Sequence, residues 1–121
     1  MTTGASLPER LRRALRARAE VQHRLAHEAL TDPLTGLPNR RAWDQALPKW
    51  LTMLANSQIP FCLAILDLDH FKQVNDARGH SMGDDVLRAA GRVLTGSLRQ
   101  DDFVARLGGD EFGLLLAVRD G

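Results

Sequence analysis

A chain of 121 residues with 44% hydrophobic and 26% charged residues is long enough for one domain with a modest core, which excludes disorder throughout. A formal net charge of +1 provides no overall field that would attract nucleic acid or a membrane surface. The N-terminus lacks the apolar core of a signal peptide, and no segment reaches the roughly 18 apolar residues of a membrane span. We therefore predict a cytoplasmic protein without direct membrane insertion and without a nucleic-acid partner.

Residues 1–30 contain a predicted helix, because the stretch from Leu7 to Leu30 lacks glycine and is rich in strong helix formers. Its apolar residues recur at spacings of four, three, seven and four, and Arg18 stands where the stripe should continue; they are Leu7, Leu11, Ala14, Val21 and Leu25. Two interpretations remain open: a solvated, arginine-rich helix resting on the domain, or a short dimerising stalk, which we favour.

A turn at Asp32-Pro33 and Gly36 separates this helix from residues 31–121, and Asn39 is predicted to cap the next helix. One face of that second helix should carry Trp43, Leu47, Leu51 and Leu54. The unbroken apolar run from Phe61 to Leu66 then predicts a strand covered on both faces, and hence a central one. Cys62, the only cysteine, lies in this run and should be a buried thiol in a reducing compartment.

A short helix should follow, with Phe71 and Val74 facing inward and Gly79 ending it. The next helix, from about Gly83, should bury Leu87, Ala90, Leu94 and Leu98, and the segments "FVARL" and "FGLLLAV" should form a hairpin. This order of elements predicts an α/β (α+β) sandwich, with helices packed against one sheet that contains antiparallel strands.

Carboxylates occur where two of these strands end. Asp67 ends the apolar strand and Asp110 lies at the hairpin tip, so the two can meet. Oxygen ligands of this kind hold Mg²⁺ against phosphates, and Gly108 and Gly109 would let a phosphate approach the main chain. The alternative is a Gly-Gly turn with solvated acids. The tip alone does not decide between them.

Four motifs appear in order: "DPLTGLPNR", "DLDHFKQVND", "GHSMGDDVL" and "RLGGDEF". Together they resemble the GGDEF domain family, the diguanylate cyclases, from Asp32 to the end of the chain. The resemblance implies a nucleotide-cyclase-like palm preceded by a helical stalk. It also implies a homodimer in which two GTP-loaded domains face each other and condense two GTP into cyclic di-GMP and two pyrophosphates.

The resemblance further implies two Mg²⁺ or Mn²⁺ ions per active site, bound by Asp67, the main-chain carbonyl of Leu68 and Asp110, with Glu111 beside them. Such ions would acidify the attacking 3′-hydroxyl and neutralise charge on the α-phosphate. Either Asp110 or Glu111 would accept the proton, and the sequence leaves that choice open.

Further implied roles concern the substrate. The amides of His70, Phe71 and Lys72 would bind the triphosphate at a helix start, and Lys72 would offset transition-state charge. Asn75 and Asp84 match the family's guanine-reading residues. Their structural alternatives are a surface lysine, a turn asparagine and an aspartate that stabilises its helix N-terminus.

Arg99 and Asp102 form an R-x-x-D pattern that matches the family's inhibitory site for cyclic di-GMP, although a charged helix exit would also explain Arg99. Family members continue beyond this hairpin, so the 31–121 domain is expected to be incomplete at its C-terminus. The main alternative function is therefore a non-catalytic receptor for cyclic di-GMP or GTP. Another nucleotide cyclase with the same palm is a distant third.

Overall fold

The computed structural model describes residues 7–118, which form four helices and three strands in the predicted order. The helices and strands are α1 Glu9–Ala29, α2 Arg40–Ser57, β1 Phe61–Asp67, α3 Phe71–Arg78, α4 His80–Ser97, β2 Phe103–Gly108 and β3 Glu111–Ala117. Helix α4 begins at His80 and not at about Gly83 as predicted, and Gly79 alone separates it from α3. Residues 1–6 of the predicted stalk (1–30) and residues 119–121 of the predicted domain (31–121) lie outside the described residues.

The sheet has the strand order β1-β3-β2, and both pairings are antiparallel. The predicted hairpin of β2 and β3 is confirmed, whereas cover on both sides of β1, as expected for a central strand, is not found among the described residues. Within residues 7–118, β1 pairs with β3 alone, and Leu63 and Ile65 are 46% and 48% exposed. Cys62 is exposed as well, so the predicted burial of its thiol is wrong. An apolar run shows that a strand could be covered, not that both of its faces are.

Helices pack on both faces of the sheet. On one face, Leu87 of α4 packs with Phe112 and Leu114 of β3 and Val104 of β2. The rest of the predicted inner face of α4 packs partly buried against the same cluster; it consists of Ala90, Leu94 and Leu98. Phe71 of α3 joins this cluster, so α3 and α4 form one layer.

On the opposite face, Trp43 of α2 packs with Ala105 and Leu115. Gly113 of β3 makes room for the indole, because an added Cβ would lie 2.7 Å from a ring carbon. Trp43 and Leu47 face the sheet as predicted, but Leu51 and Leu54 are exposed. The helix instead turns Trp50 toward β1, where its ring meets Phe61 with centroids 5.3 Å apart.

Helix α1 buries none of its residues, and its apolar stripe is exposed. Residues 30–39, which connect α1 to α2, are here called the junction loop. Asn39 caps α2 as predicted, accepting a hydrogen bond from the Ala42 amide at 3.0 Å, and its side chain also donates to the Ala29 carbonyl at 3.0 Å. One asparagine thus fastens the end of one helix to the start of the next. In the described part of the chain no helix has the length and apolarity needed to cross a membrane.

We expect Gly113→Ala to lower the free energy of unfolding by about 1 to 3 kcal/mol, because the new methyl group overpacks the site against the Trp43 ring. Urea unfolding followed by tryptophan fluorescence measures the change. Gly96→Ala in α4 is the matched control, since nothing lies within 4 Å of its added Cβ. That control should be neutral or stabilising by up to about 1 kcal/mol. A Gly113→Ala variant as stable as the parent would contradict this account of the packing.

Candidate active site

The hairpin tip is a tight turn in which Gly109 and Asp110 connect the paired residues Gly108 and Glu111. Gly108 has φ 146° and Gly109 has φ 50°, values that L side chains rarely adopt. The two glycines are therefore required by the backbone itself, whatever ligand the tip binds. Their turn leaves Asp110 at the apex, next to the first residue of β3.

The structure brings the sequence-predicted acidic residues together at one end of the sheet. Asp67, the last residue of β1, is the cross-strand partner of Glu111. Directly paired residues project to the same face of a sheet, with Cβ atoms about 5 Å apart. One residue further, the Leu68 amide donates to the Asp110 carbonyl at 3.2 Å. The backbones at Asp67 and Asp110 thus lie side by side at neighbouring strand ends, as the sequence predicts, and the convergence of their carboxylates stays a prediction.

This set of oxygens suits a hard divalent cation. Within residues 7–118 no three histidine, cysteine, aspartate or glutamate side chains converge on a single point. Mg²⁺ does not require such a cage, because it commonly takes one or two protein carboxylates and completes its octahedron with water and substrate phosphates. Two strands that offer carboxylates and a main-chain carbonyl therefore fit a metal delivered with a nucleotide.

Asp67 borders a shallow cleft of about 350 Å³ and not a deep cavity. Its lining joins the end of β1 to helix α4 and consists of Leu66, Asp67, Leu68, Ala90, Val93, Leu94 and Phe112. Asp67 is exposed, and Asp110 and Glu111 are half-buried, so all three carboxylates are accessible from solvent. The arrangement suits a substrate that approaches over the sheet end.

The start of α3 lies immediately beyond β1, so the chain passes from Asp67 to the first turn of a helix within a few residues. His70, the N-cap residue, adopts the left-handed conformation with φ 59° and makes no side-chain capping hydrogen bond. Phe71 is packed against the core, whereas His70 and Lys72 are exposed. The first amides of α3 have no intrahelical acceptors, which is the arrangement that binds anions.

Asn75 lies on α3 and Asp84 on α4, two helices that contact each other and are separated by Gly79 alone. The Oδ1 atom of Asn75 is buried and has no hydrogen-bond partner. The side chain of Asn75 lies directly against Gly83, where any Cβ would collide with its amide group. Gly83, the residue before Asp84, therefore leaves the room that the Asn75 amide occupies, a role not predicted from the sequence. The available signal was a glycine inside a helical stretch, one residue before a candidate ligand.

The R-x-x-D segment is a closed turn at the other end of the sheet. The Asp102 amide donates to the Arg99 carbonyl at 3.0 Å, and Asp102 Oδ2 accepts from the Arg99 amide at 2.9 Å. Asp102 Oδ1 accepts from the amide of Ala117, the last residue of β3, at 2.9 Å. Each carboxylate oxygen of Asp102 thus holds a backbone amide, while the Arg99 side chain is exposed. The length of β3, roughly 20 Å, separates this turn from the hairpin tip.

One ion pair near the tip was not predicted. Arg106 of β2 donates from Nη1 to Asp32 Oδ1 in the junction loop at 3.0 Å, and the side chains are 18% and 13% exposed. Burial by itself raises the pKa of Asp32, but hydrogen bonds from Thr35 and the charge and hydrogen bond of Arg106 outweigh it, so the pKa lies below 3.8. The free energy of unfolding that Asp32 contributes is therefore present above pH 3.8, the ordinary pKa of the group, and is lost as the pH falls through its lowered pKa.

Comparison with known proteins agrees with this architecture. Residues 29–120 match the family model described as "Diguanylate cyclase, GGDEF domain". The chain is 49% identical over 89 residues to diguanylate cyclase DgcP of Pseudomonas aeruginosa and 40% identical over 107 residues to the probable diguanylate cyclase DgcT of Escherichia coli. These matches cover 74% and 88% of the chain but only 13% and 22% of the two relatives, so the chain spans a small part of their length.

Among solved structures, the chain is similar to the coiled coil and GGDEF domain of DgcB from Caulobacter crescentus, determined in complex with c-di-GMP. The TM-score is 0.78 at 32% identity, and the match covers 94% of this chain and 63% of the other. The shared fold includes the helix that precedes the domain. The family match over residues 29–120 and the similarity to these relatives show that the chain belongs to the GGDEF domain family of diguanylate cyclases.

Proposed function

We propose that residues 31–121 form the catalytic domain of a diguanylate cyclase, which condenses two GTP into cyclic di-GMP with release of two pyrophosphates. The observation that carries the proposal is the cross-strand pairing of Asp67 with Glu111, next to the Leu68–Asp110 hydrogen bond. Asp67 of β1, Asp110 of the hairpin turn and Glu111 of β3 therefore lie at one accessible end of the sheet.

In this proposal Asp67, the Leu68 carbonyl, Asp110 and Glu111 hold the metal, taken as two Mg²⁺ or Mn²⁺ ions per site. When bound, these ions supply acidification of the 3′-hydroxyl and neutralisation of charge on the α-phosphate. The carboxylates of Asp110 and Glu111 are the candidate acceptors of the hydroxyl proton. As the 3′-oxygen bonds to the α-phosphorus of the second nucleotide, the bond from that phosphorus to pyrophosphate breaks.

The substrate is held by the surroundings of the same sheet end. The amides of His70, Phe71 and Lys72 and the bare backbone of Gly108 and Gly109 bind the triphosphate. Lys72, exposed at the start of α3, adds positive charge against the phosphates. Helix α3 and the hairpin tip thus approach the nucleotide from two sides.

Asn75 and Asp84 read the guanine. The carboxylate of Asp84 can accept from N1 and N2 of the base, and an amide can both donate and accept. The unpartnered Oδ1 of Asn75 supports this assignment, because a buried polar atom without a partner is uncommon unless a ligand or water satisfies it. Gly83 keeps this amide in place.

Condensation of two GTP molecules requires two domains, so we propose a homodimer with residues 1–30 as its stalk. The exposed apolar residues of α1 support pairing with a second copy, since a stripe at these spacings is buried when two helices associate. Arg18 falls on that stripe and should weaken the pairing. A cytoplasmic location, where GTP and Mg²⁺ are available, belongs to the same proposal.

Cyclic di-GMP, the product, would bind at the R-x-x-D turn and inhibit the enzyme. The exposed guanidinium of Arg99 can contact a phosphate with two hydrogen bonds or stack on a guanine. Because this turn is complete without any metal, it also supports the second candidate function, a receptor for cyclic di-GMP that makes no product. The two functions differ in whether the acids at the tip are needed.

Asp67→Asn and Asp110→Asn should each lower cyclic di-GMP synthesis by roughly a hundredfold or more, because each removes a metal ligand and, for Asp110, a candidate proton acceptor. The assay incubates the protein that carries this chain with GTP and Mg²⁺ and follows the product by chromatography. Asp44→Asn is the matched control, since its partner Arg40 and Asp44 itself are exposed on α2. Unchanged synthesis in either variant would refute the metal assignment. Product binding without any synthesis by the parent protein would favour the receptor.

Arg99→Ala should weaken cyclic di-GMP binding about tenfold or more, because a charge-assisted hydrogen bond to a phosphate is lost. Its thermal unfolding should stay near that of the parent, since the side chain is exposed. Asp102→Ala should instead lower both affinity and stability, because it frees the amides of Arg99 and Ala117. Calorimetry and thermal unfolding measure the two effects, with Arg92→Ala as an exposed control. Equal affinity of the Arg99→Ala variant and the parent would assign Arg99 to the helix exit alone.

A further inference from the structure

The guanidinium of Arg106 makes contacts in two directions. Its Nε and Nη2 atoms donate to the Gly109 carbonyl at 3.1 and 2.9 Å, and its Nη1 atom donates to Asp32 Oδ1 at 3.0 Å. The planar fork therefore joins the hairpin tip to the junction loop through three hydrogen bonds from one side chain. A lysine cannot reproduce this geometry, because its donors radiate from a single nitrogen.

The Gly109 carbonyl belongs to the peptide group that precedes Asp110. Fixing this carbonyl fixes the plane of that peptide group. The Asp110 carbonyl, in the following peptide group, accepts from the Leu68 amide at 3.2 Å. Both peptide planes around Asp110 are thus held, one by Arg106 and the other by the end of β1. The direction in which Asp110 projects depends on these two restraints.

Asp32 is itself held firmly in the junction loop. Its Oδ2 atom accepts from the amide and the hydroxyl of Thr35 at 2.9 and 2.7 Å, and its amide donates to the Leu37 carbonyl at 2.7 Å. A second connection runs through the backbone, where the Arg106 amide donates to the Pro38 carbonyl at 2.9 Å. The position of Arg106 therefore follows that of the junction loop.

The junction loop in turn is fastened to the end of α1. The Asn39 amide donates to the Leu30 carbonyl at 3.0 Å, and the Asn39 side chain donates to Ala29, the last residue of α1, at 3.0 Å. The hydrogen bonds of Asn39 to the end of α1 and those of Asp32 and Pro38 to Arg106 are joined by the covalent chain of the junction loop, so α1 is linked to the peptide group before Asp110.

We propose that Arg106 is a positioning residue, which transmits the placement of the junction loop to the Gly109–Asp110 peptide group and so sets the geometry of the metal-binding tip. This inference rests on the proposed function only in taking the hairpin tip as the place where the metal binds. The mechanical link itself requires neither GTP nor metal. A displacement of the end of α1 acts on Asp110 through this link, without any change in the sheet core.

The test is amide hydrogen exchange and chemical shifts by NMR on the ¹⁵N-labelled 121-residue chain, without nucleotide or metal. Arg106→Lys keeps the charge opposite Asp32 but loses the fork, and Asp32→Asn keeps the shape but loses the charge. In both variants we expect shifted Gly109 and Asp110 amides and exchange of the Leu68 amide that is about tenfold or more faster. The Leu115 amide, in the buried middle of β3, should exchange as in the parent.

Asp44→Asn is the matched control, because it breaks an ion pair with Arg40 in which both side chains are more than 60% exposed. It should leave the tip amides unchanged. The proposal is overturned if Arg106→Lys and Asp32→Asn resemble this control at Gly109, Asp110 and Leu68. It is equally overturned if Leu68 and Leu115 accelerate by the same factor, because the pair would then contribute only to global stability. Either outcome is independent of whether the protein makes cyclic di-GMP.

Discussion

Strand β3 is the constraint on which the rest of this structure depends. Among residues 7–118 it is the strand with hydrogen-bonded neighbours on both sides, and its side chains supply the centre of both core clusters. The register of β3 against β1 places Asp67 opposite Glu111, and the hairpin register places Asp110 at the turn. A shift of one residue would turn Phe112 and Leu114 out of the core. Burial of these side chains therefore also determines where the acids meet.

The two ends of β3 serve different parts of the molecule. Its first residue, Glu111, lies in the acidic sheet end, and its last residue, Ala117, donates its amide to Asp102 of the R-x-x-D turn. A rigid strand thus connects the two places at which guanine nucleotides are proposed to bind. Their separation means that occupation of one turn leaves the other sterically free. Inhibition by product would therefore have to act through the relative placement of two domains and not through direct competition within one.

Local chemistry made much of the fold predictable. Asn39 before a helical stretch, Gly79 after one, and a Gly-Gly turn between apolar segments are each determined by a few neighbouring residues. Predictions failed where a distant contact decides the outcome. The run from Phe61 to Leu66 has the composition of a fully covered strand, and only the strand order shows that it pairs on one side within the described residues. Trp50, not Leu51, packs inward because the position of Phe61 selects it.

The candidate site shows the same division. Adjacent acids at strand ends could be paired from the sequence, because hairpins and neighbouring strands restrict where they lie. Their individual roles came from the resemblance of the motifs and not from the spacing of the acids. Arg106 and Asp32 are 74 residues apart, and nothing local indicates that they meet. A D-x-x-T pattern in a loop and an arginine inside an apolar strand were the available signals.

The exposure of helix α1 has a consequence for how such a domain can evolve. Since α1 contributes no buried residue, an exchange of this helix for an unrelated one leaves the packing of the sheet and of α2 to α4 intact. What a newly joined segment must preserve is the set of hydrogen bonds made by the junction loop. The domain can therefore be recombined with different upstream segments at a boundary near Ala29. Selection on the joined segment then falls on its own contacts and its angle of approach, while residues 30–39 remain as the common connector.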